Sequence, residues 1–304
     1  MTVALNSYYG NSEKTTKITQ LCNKLNIKIN PPRFKYSKSK YMPDKTTNSI
    51  YKGLHSIKYL NEECSEGLYE LRNNKYESFI DLLYDIKEKV NINTRQMSIL
   101  IKLNFFREFG NNKKLLMLYD YFDNLNDKKQ LSKSKLNELK LTESIVRMFS
   151  KKETEKIFKE IDFKNMFKLL ESKIPNKQIS LKEQLKAEIE YLGYIDTKIN
   201  TEKPLYFTLE IKEYKNKKSS TFYPLLYNIK TGEEVKYRID SCIRYTENPF
   251  KEGDIISIIE EHKRQKRTIR KDEYGNTVLN SKGKPEWDLV PNEFNNILDY
   301  WSVY

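Results

Sequence analysis

Near Pro204 the hydrophobic period of this 304-residue chain changes, and the change divides what its two parts can fold into. Before it, apolar residues recur every three to four positions, as along one face of a helix. After it, Leu205, Phe207, Leu209 and Ile211 alternate with Tyr206, Thr208, Glu210 and Lys212, the two-residue period of a half-buried strand. Further strand-like runs cover 222–229, 235–243, 254–260 and 268–271. Turn signals separate them at Thr231-Gly232, Glu252-Gly253, Tyr274-Gly275-Asn276 and Lys282-Gly283-Lys284. About five strands in roughly 90 residues, with a final short helix near 292–300, predict a small antiparallel β-barrel of OB type.

The part before Pro204 reads as helices. Thr15, Ile18, Leu21, Cys22 and Leu25 make one apolar face after a turn at Tyr9-Gly10-Asn11-Ser12. Asn30-Pro31-Pro32 ends that helix, because proline disfavours helical backbone in the residue before it. Residues 33–49 are basic and extended. From 50 to 125 short helices follow, one carrying Phe79, Leu82, Leu83 and Ile86, the next capped by Asn93 or Thr94 and carrying Met97, Leu100 and Ile101. Residues 126–180 are Lys/Glu-rich with weak periodicity, and Ser180 with Glu183 has the spacing of a capping box. The expected fold is α+β, an all-helical module followed by the barrel. Its expected divisions are a basic segment (1–49), a helix-hairpin-helix domain (50–125), a helical linker region (126–200) and an OB-fold domain (201–304).

Several kinds of chemistry are poorly served by this composition. Glycine and proline number nine each, and neither GxGxxG nor GxxxxGK[ST] occurs, which argues against a phosphate-cradling P-loop. The histidines are His55 and His262, the cysteines Cys22, Cys64 and Cys242, and no pair has zinc-ligand spacing. Asp120, Asp123 and Asp127 share a helix face but read as a solvated helix end. No catalytic residue, metal ligand or cofactor is therefore expected in this chain. The odd, scattered cysteines suit a reducing compartment, and no run of 18 apolar residues suggests a membrane span, so a cytoplasmic location is expected.

Charge points to a polyanion. The formal net charge is +13, and residues 1–60 hold 11 basic against 2 acidic side chains. Such a surface suits nucleic acid, an acidic protein or anionic lipid; a lysine-rich composition without function would look similar. Three stretches concentrate the candidates. In Asn48–Arg72 an apolar run through Ile50, Leu54 and Ile57 leads into Lys58-Tyr59-Leu60-Asn61 and then a second helix. Tyr59 and Asn61 occupy the place of the glycines that let hairpin N–H groups reach a phosphate. Lys52 and Lys58 add charge there; the alternative is a helix pair kept for packing. In the second stretch Arg33, Lys35, Tyr36 and Lys38 interleave cations with rings, a pattern that suits single strands; the alternative is a loop whose rings pack on the preceding helix. The third, in the barrel, comprises Lys263, Arg264, Lys266, Arg267 and Arg270, with Phe207, Tyr223 or Tyr237 as stacking platforms; a solvated hairpin is the alternative.

The order of these segments resembles the late fingers, helix-hairpin-helix region and OB domain of the bacterial DNA polymerase III alpha subunit, the C family. Leu25-Asn26-Ile27-Lys28-Ile29-Asn30-Pro31-Pro32 is similar to a family segment with glycine at the Asn26 position. Ile50-Tyr51-Lys52-Gly53-Leu54-His55-Ser56-Ile57-Lys58 resembles its Ile-x-x-Gly-Leu-x-x-Ile-Lys approach to the hairpin. Phe79-Ile80-Asp81-Leu82 resembles its Phe-x-Asp-Leu. Leu100-Ile101-Lys102-Leu103-Asn104-Phe105-Phe106 resembles its Leu-Ile-Lys-x-Gly-Ala-Phe, and the run from Leu185 and Glu188 to Leu192-Gly193-Tyr194 resembles the approach to its OB domain. The family's catalytic aspartates lie upstream of the matched region, and no Asp-x-Asp occurs here. The resemblance thus implies DNA binding in replication, no polymerisation by this chain alone, and a separate catalytic subunit holding the magnesium. Gln130-Leu131-Ser132 opens like a sliding-clamp motif but lacks its apolar pair. A protein-interaction subunit without direct DNA contact is the alternative.

Overall fold

The computed structural model describes residues 1–8, 11–215 and 220–304, apart from the side chains of residues 12, 13, 16 and 23. The turn expected at Tyr9-Gly10 lies outside the described residues. The chain forms two compact units, Met1–Tyr194 and Ile195–Tyr304.

The first unit opens with α1 (Thr2–Ser7) and α2 (Ser12–Lys24), then β1 (Lys28–Asn30), β2 (Met42–Asp44) and β3 (Ser49–Tyr51). Helices α3 (Glu62–Leu71), α4 (Phe79–Lys89), α5 (Thr94–Lys102) and α6 (Asn112–Leu125) follow. Their starts are set by side chains that accept from otherwise unpaired backbone N–H groups: Asn61 for α3, Ser78 for α4 and Asn93 for α5. The carboxylate of Glu171 also accepts from the Phe79 and Ile80 amides, at 2.9 and 3.2 Å. Next come β4 (Gln130–Ser132), α7 (Lys133–Glu138), α8 (Glu143–Phe149), β5 (Ser150–Glu153), β6 (Ile157–Ile161), α9 (Phe163–Lys173) and α10 (Leu181–Leu192). Ser180 and Glu183 form the capping box read from their spacing.

Two expectations fail here. The unit is not all-helical: β1 pairs in parallel with β3, which pairs antiparallel with β2, and β4-β6-β5 form a second small sheet. Nor do residues 126–200 form a linker: up to Tyr194 they belong to the first unit and from Ile195 to the second. Leu131, Leu136, Val146, Phe158, Met166 and Phe167 belong to the same buried cluster as Phe34, Phe79, Phe105 and Phe106. From β4 to β6 each short element buries at most one side chain, too few to build a detectable period, whereas α9 buries Phe163, Met166, Phe167 and Leu170 at helical spacing that the sequence reading passed over.

The second unit contains β7 (Leu205–Lys215), β8 (Ser220–Asn228), β9 (Glu234–Arg238), α11 (Cys242–Glu247), β10 (Ile255–Ile269) and β11 (Trp287–Val303). Strand order is β10-β11-β9-β8-β7, and β10 pairs with β7, so the sheet closes on itself around Leu226, Tyr237, Ile256, Leu298 and Trp301. The ring is not wholly antiparallel, because β9 and β11 run parallel, with Asn296 opposite Tyr237. The helix expected near 292–300 is the middle of β11. Register shifts between β10 and β11 interrupt the alternation, so Phe294, Ile297, Leu298 and Trp301 fall at helix-like spacing on a strand. The runs at 254–260 and 268–271 are one strand, β10, and the run at 235–243 ends at Arg238, with α11 starting at Cys242. Among the described residues, no helix is long and apolar enough to cross a membrane.

Candidate nucleic-acid interface

The hairpin turn is built by the residues between a single 3-10 turn, Leu54–Ser56, and α3. Its first limb is therefore shorter than the α-helix expected from Ile50, Leu54 and Ile57. Gly53 makes the corner possible: a Cβ there would stand 2.4 Å from the Ser39 carbonyl oxygen. The Leu54 and His55 amides donate to the Lys38 and Ser39 carbonyls, at 2.8 and 3.0 Å, fixing the basic stretch against the corner.

Tyr59 adopts φ 72°, the left-handed region that costs a side-chain-bearing residue about 1–2 kcal/mol. This is the conformation a hairpin glycine would supply. Asn61, the other turn position read as replacing a glycine, is extended at φ −112°, whereas Asn26 (φ 55°), read likewise, and Asn104 (φ 58°) take the left-handed region. Asparagine tolerates it well through its short polar side chain, whereas Tyr59 needs outside support. That support is present. The Arg95 guanidinium lies 3.5 Å from the Tyr59 ring centroid, Tyr191 meets the ring edge-on at 6.4 Å, and the Gln96 amide donates to the Tyr59 carbonyl at 2.9 Å.

The same packing limits the turn as an anion clamp. The Lys58 amide donates to the Tyr191 carbonyl at 2.9 Å, and Asn61 caps α3 by accepting from the Cys64 amide at 2.9 Å. Glu62 and Glu63 occupy the first turn of α3, where they answer the positive helix end and oppose a phosphate. Lys58 itself is exposed, but Lys52 is buried, its ammonium 4.3 Å from the Tyr194 ring centroid.

In the basic stretch the rings and cations divide their tasks. Phe34 is buried among Phe105, Phe106, Phe109 and Tyr76, and the Phe34 amide donates to the Phe105 carbonyl at 3.0 Å. The Arg33 guanidinium donates to the carbonyls of Pro32 and Asn104, at 3.1 and 2.8 Å, so it holds the loop instead of facing solvent alone. Lys38 pairs with Glu66 at 3.1 Å. Tyr36 is exposed and stacks on Tyr51, centroids 4.5 Å apart and planes 7° apart. Burial, with Tyr36 and Asp44 beside it, pushes the Tyr51 hydroxyl above its ordinary range. Lys35 is exposed beside this loop. Tyr51 was missed as a partner because only the pairing of β1 with β3 brings it to Tyr36.

In the second unit, Phe207 and Tyr237 are buried and cannot serve as platforms. Burial, with the Glu261 carboxylate next to it, pushes the Tyr237 hydroxyl strongly upward. Tyr223 is half-buried, edge-on to exposed Tyr214 at 5.2 Å, with the Arg238 guanidinium 5.8 Å from its centroid. The expected cations line β10, but most are answered by carboxylates. Arg264 pairs with Asp240, Lys266 with Glu293 at 2.9 Å, and Arg270 with Glu286 and Asp288, each at 2.6 Å. Lys263 and Arg267 are exposed and form no ion pair among the described residues. Among the described residues no cluster of His, Cys, Asp or Glu could hold a metal ion, and Asp127 pairs with Lys87.

The hairpin region has a known counterpart. A family model described as a helix-hairpin-helix motif matches residues 26–116, from the end of α2 through the hairpin turn and α3–α5 into α6. No curated protein matches the chain significantly.

Proposed function

We propose that this chain binds DNA, the helical unit holding the phosphate backbone and the second unit, a barrel of OB type, holding a single strand. The observation that carries the reading is the helix-hairpin-helix match at 26–116, which includes a surface turn whose backbone takes the glycine-like conformation at Tyr59. Motifs of this kind position DNA through backbone contacts without reading its sequence. The left-handed backbone at Asn26, Tyr59 and Asn104 supports a finer reading: the DNA-binding C-terminal part of a C-family replicative polymerase, working with a separate catalytic subunit. On that reading this chain needs no cofactor, and magnesium belongs to the catalytic partner. Leu131 is buried in β4, so contact with a sliding clamp through Gln130-Leu131-Ser132 is not part of the proposal. A cytoplasmic location goes with it, and Cys22, Cys64 and Cys242 are all free thiols.

A second reading, a protein-docking subunit, is favoured by Glu62 and Glu63 at the head of α3 and by the occupied Lys58 amide. Titration of duplex and single-stranded oligonucleotides across salt separates the two. DNA binding predicts a linear fall of log K with log salt, of about 0.7–0.9 per phosphate neutralised. Absence of binding, or affinity indifferent to salt, would favour the docking subunit.

A further inference from the structure

Beyond the barrel, β10 and β11 continue as a paired ribbon, from Lys263 opposite Asn296 to Ile269 opposite Trp287, with one register shift between Gln265 and Arg267, where β11 carries the extra residues 290–293 and β10 keeps its alternation. Directly paired residues of an antiparallel ladder project from the same face, and alternate residues share it. One face therefore carries Gln265 with Phe294, Arg267 with Leu289, and Ile269 with Trp287. The other carries Arg264, Lys266 and Arg270, each locked to a carboxylate.

The first face is open. Trp287 is 56% exposed, Leu289 55%, Phe294 51% and Ile269 36%. Its cations, Lys263 and Arg267, have no carboxylate partner among the described residues. Glu261, two positions before Lys263 on β10, lies on this side at the barrel end beside Tyr237. The arrangement combines two exposed rings, apolar surface between them and unpaired positive charge. At about 3.3 Å per strand residue, the four steps from Gln265 to Ile269 set the Phe294 and Trp287 positions about 13 Å apart. At about 3.4 Å per stacked base that span corresponds to about four nucleotides, and to fewer in an extended strand.

We propose that this ribbon face is the seat of a single-stranded polynucleotide, with bases laid on Trp287 and Phe294 and the backbone drawn to Arg267 and Lys263. The proposal rests on the nucleic-acid reading above and moves its single-strand site away from Phe207 and Tyr237. It also moves it off the ion-paired face that carries Arg264, Lys266 and Arg270. Charge complementarity selects the occupant: the open face holds the free cations with Glu261 at its barrel end, while Asp240, Glu286, Asp288 and Glu293 are taken up by the cations of the other face. Base stacking tolerates any sequence, so no base preference is expected.

The chain provides its own probe, since its two tryptophans are Trp287 and the buried Trp301. Titrating the full chain with oligo(dT) and oligo(rU) at low salt should quench the emission of Trp287. The two arms tell DNA from RNA. Trp287→Ala should lose the quench and weaken binding roughly tenfold, Trp287→Phe should retain affinity, and Arg267→Ala should weaken it and flatten its salt dependence. Trp287 is exposed, so circular dichroism should report an unchanged fold for each variant. Oligonucleotide binding that persists in Trp287→Ala, with Trp287 emission unmoved in the native chain, would overturn the ribbon site and leave the nucleic-acid reading standing. No oligonucleotide binding at all would overturn both. A shift of Trp287 emission with protein concentration alone would assign the face to a second copy of the chain and overturn the proposal.

Discussion

The hairpin turn of the first unit and the ribbon of the second both display positive charge, but they prepare it differently. At the hairpin the backbone is the instrument, and the surrounding side chains have been spent on holding it. Arg95, Gln96 and Tyr191 support Tyr59, while Asn61 caps α3. On the ribbon the backbone is satisfied by the ladder, and the side chains are sorted by face. The difference teaches that cation density in a sequence measures neither site: what matters is which charges remain uncompensated after folding. Lys58, Lys35, Lys263 and Arg267 are exposed without an ion pair among the described residues, whereas Arg264, Lys266 and Arg270 have carboxylates.

The largest expected effect removes the support of the first region. Phe34→Ala empties a fully buried site among four aromatic neighbours and should cost about 3–5 kcal/mol in urea unfolding. Because Phe34 anchors the basic stretch, salt-dependent binding by the helical unit should fall with it. The contrast between compensated and free cations is tested next. Lys263→Ala with Arg267→Ala should lower the salt slope of single-strand binding by about 1.4, two phosphates at about 0.7 each. Arg264→Ala with Lys266→Ala should change it much less; equal effects would erase the distinction between the two faces.

Tyr59→Gly sharpens the hairpin side. Relief of about 1–2 kcal/mol of left-handed strain is offset by lost ring contacts worth about 0.5–1.5 kcal/mol, so stability should move by about 1 kcal/mol or less. Affinity for duplex DNA should rise, as the backbone opens to phosphate. The smallest effect lies away from both regions. Hydrogen bonds from Arg147 and then Lys133 hold the Glu153 carboxyl at about 2, below its ordinary 4.5. A depressed carboxyl stabilises the fold above its unfolded pKa. That contribution should therefore be full above about pH 5 and fade as pH falls from 4.5 towards 2. Glu153→Gln should flatten this limb in acid-unfolding curves, with little change at neutral pH.

Much of this architecture was legible locally. The period change at Pro204, the caps at Asn93 and Ser180, and the glycine-like backbone at Asn26 and Tyr59 are properties of short segments, and the structure reproduces them, though Asn61 is extended. What escaped depends on long-range pairing. Asp240 and Glu293 neutralise Arg264 and Lys266 across 24 and 27 positions of sequence. Phe207 and Tyr237 read as surface rings until closure of the sheet covers them. Phe294 reads as part of a helix, and Trp287 falls in no expected element, until β11 is placed against β10.

The parallel contact between β9 and β11 carries a kinetic consequence. Strand β11 joins β10 to β9, so every contact that shuts the ring on that side waits for residues 287–303. Until they dock, β9 and β10 present bare edges, and partners far apart in sequence must meet before any of that pairing is rewarded. Refolding of the second unit should accordingly be slower than that of a helical domain of similar size. Its partly formed sheet is the species most exposed to edge-to-edge association.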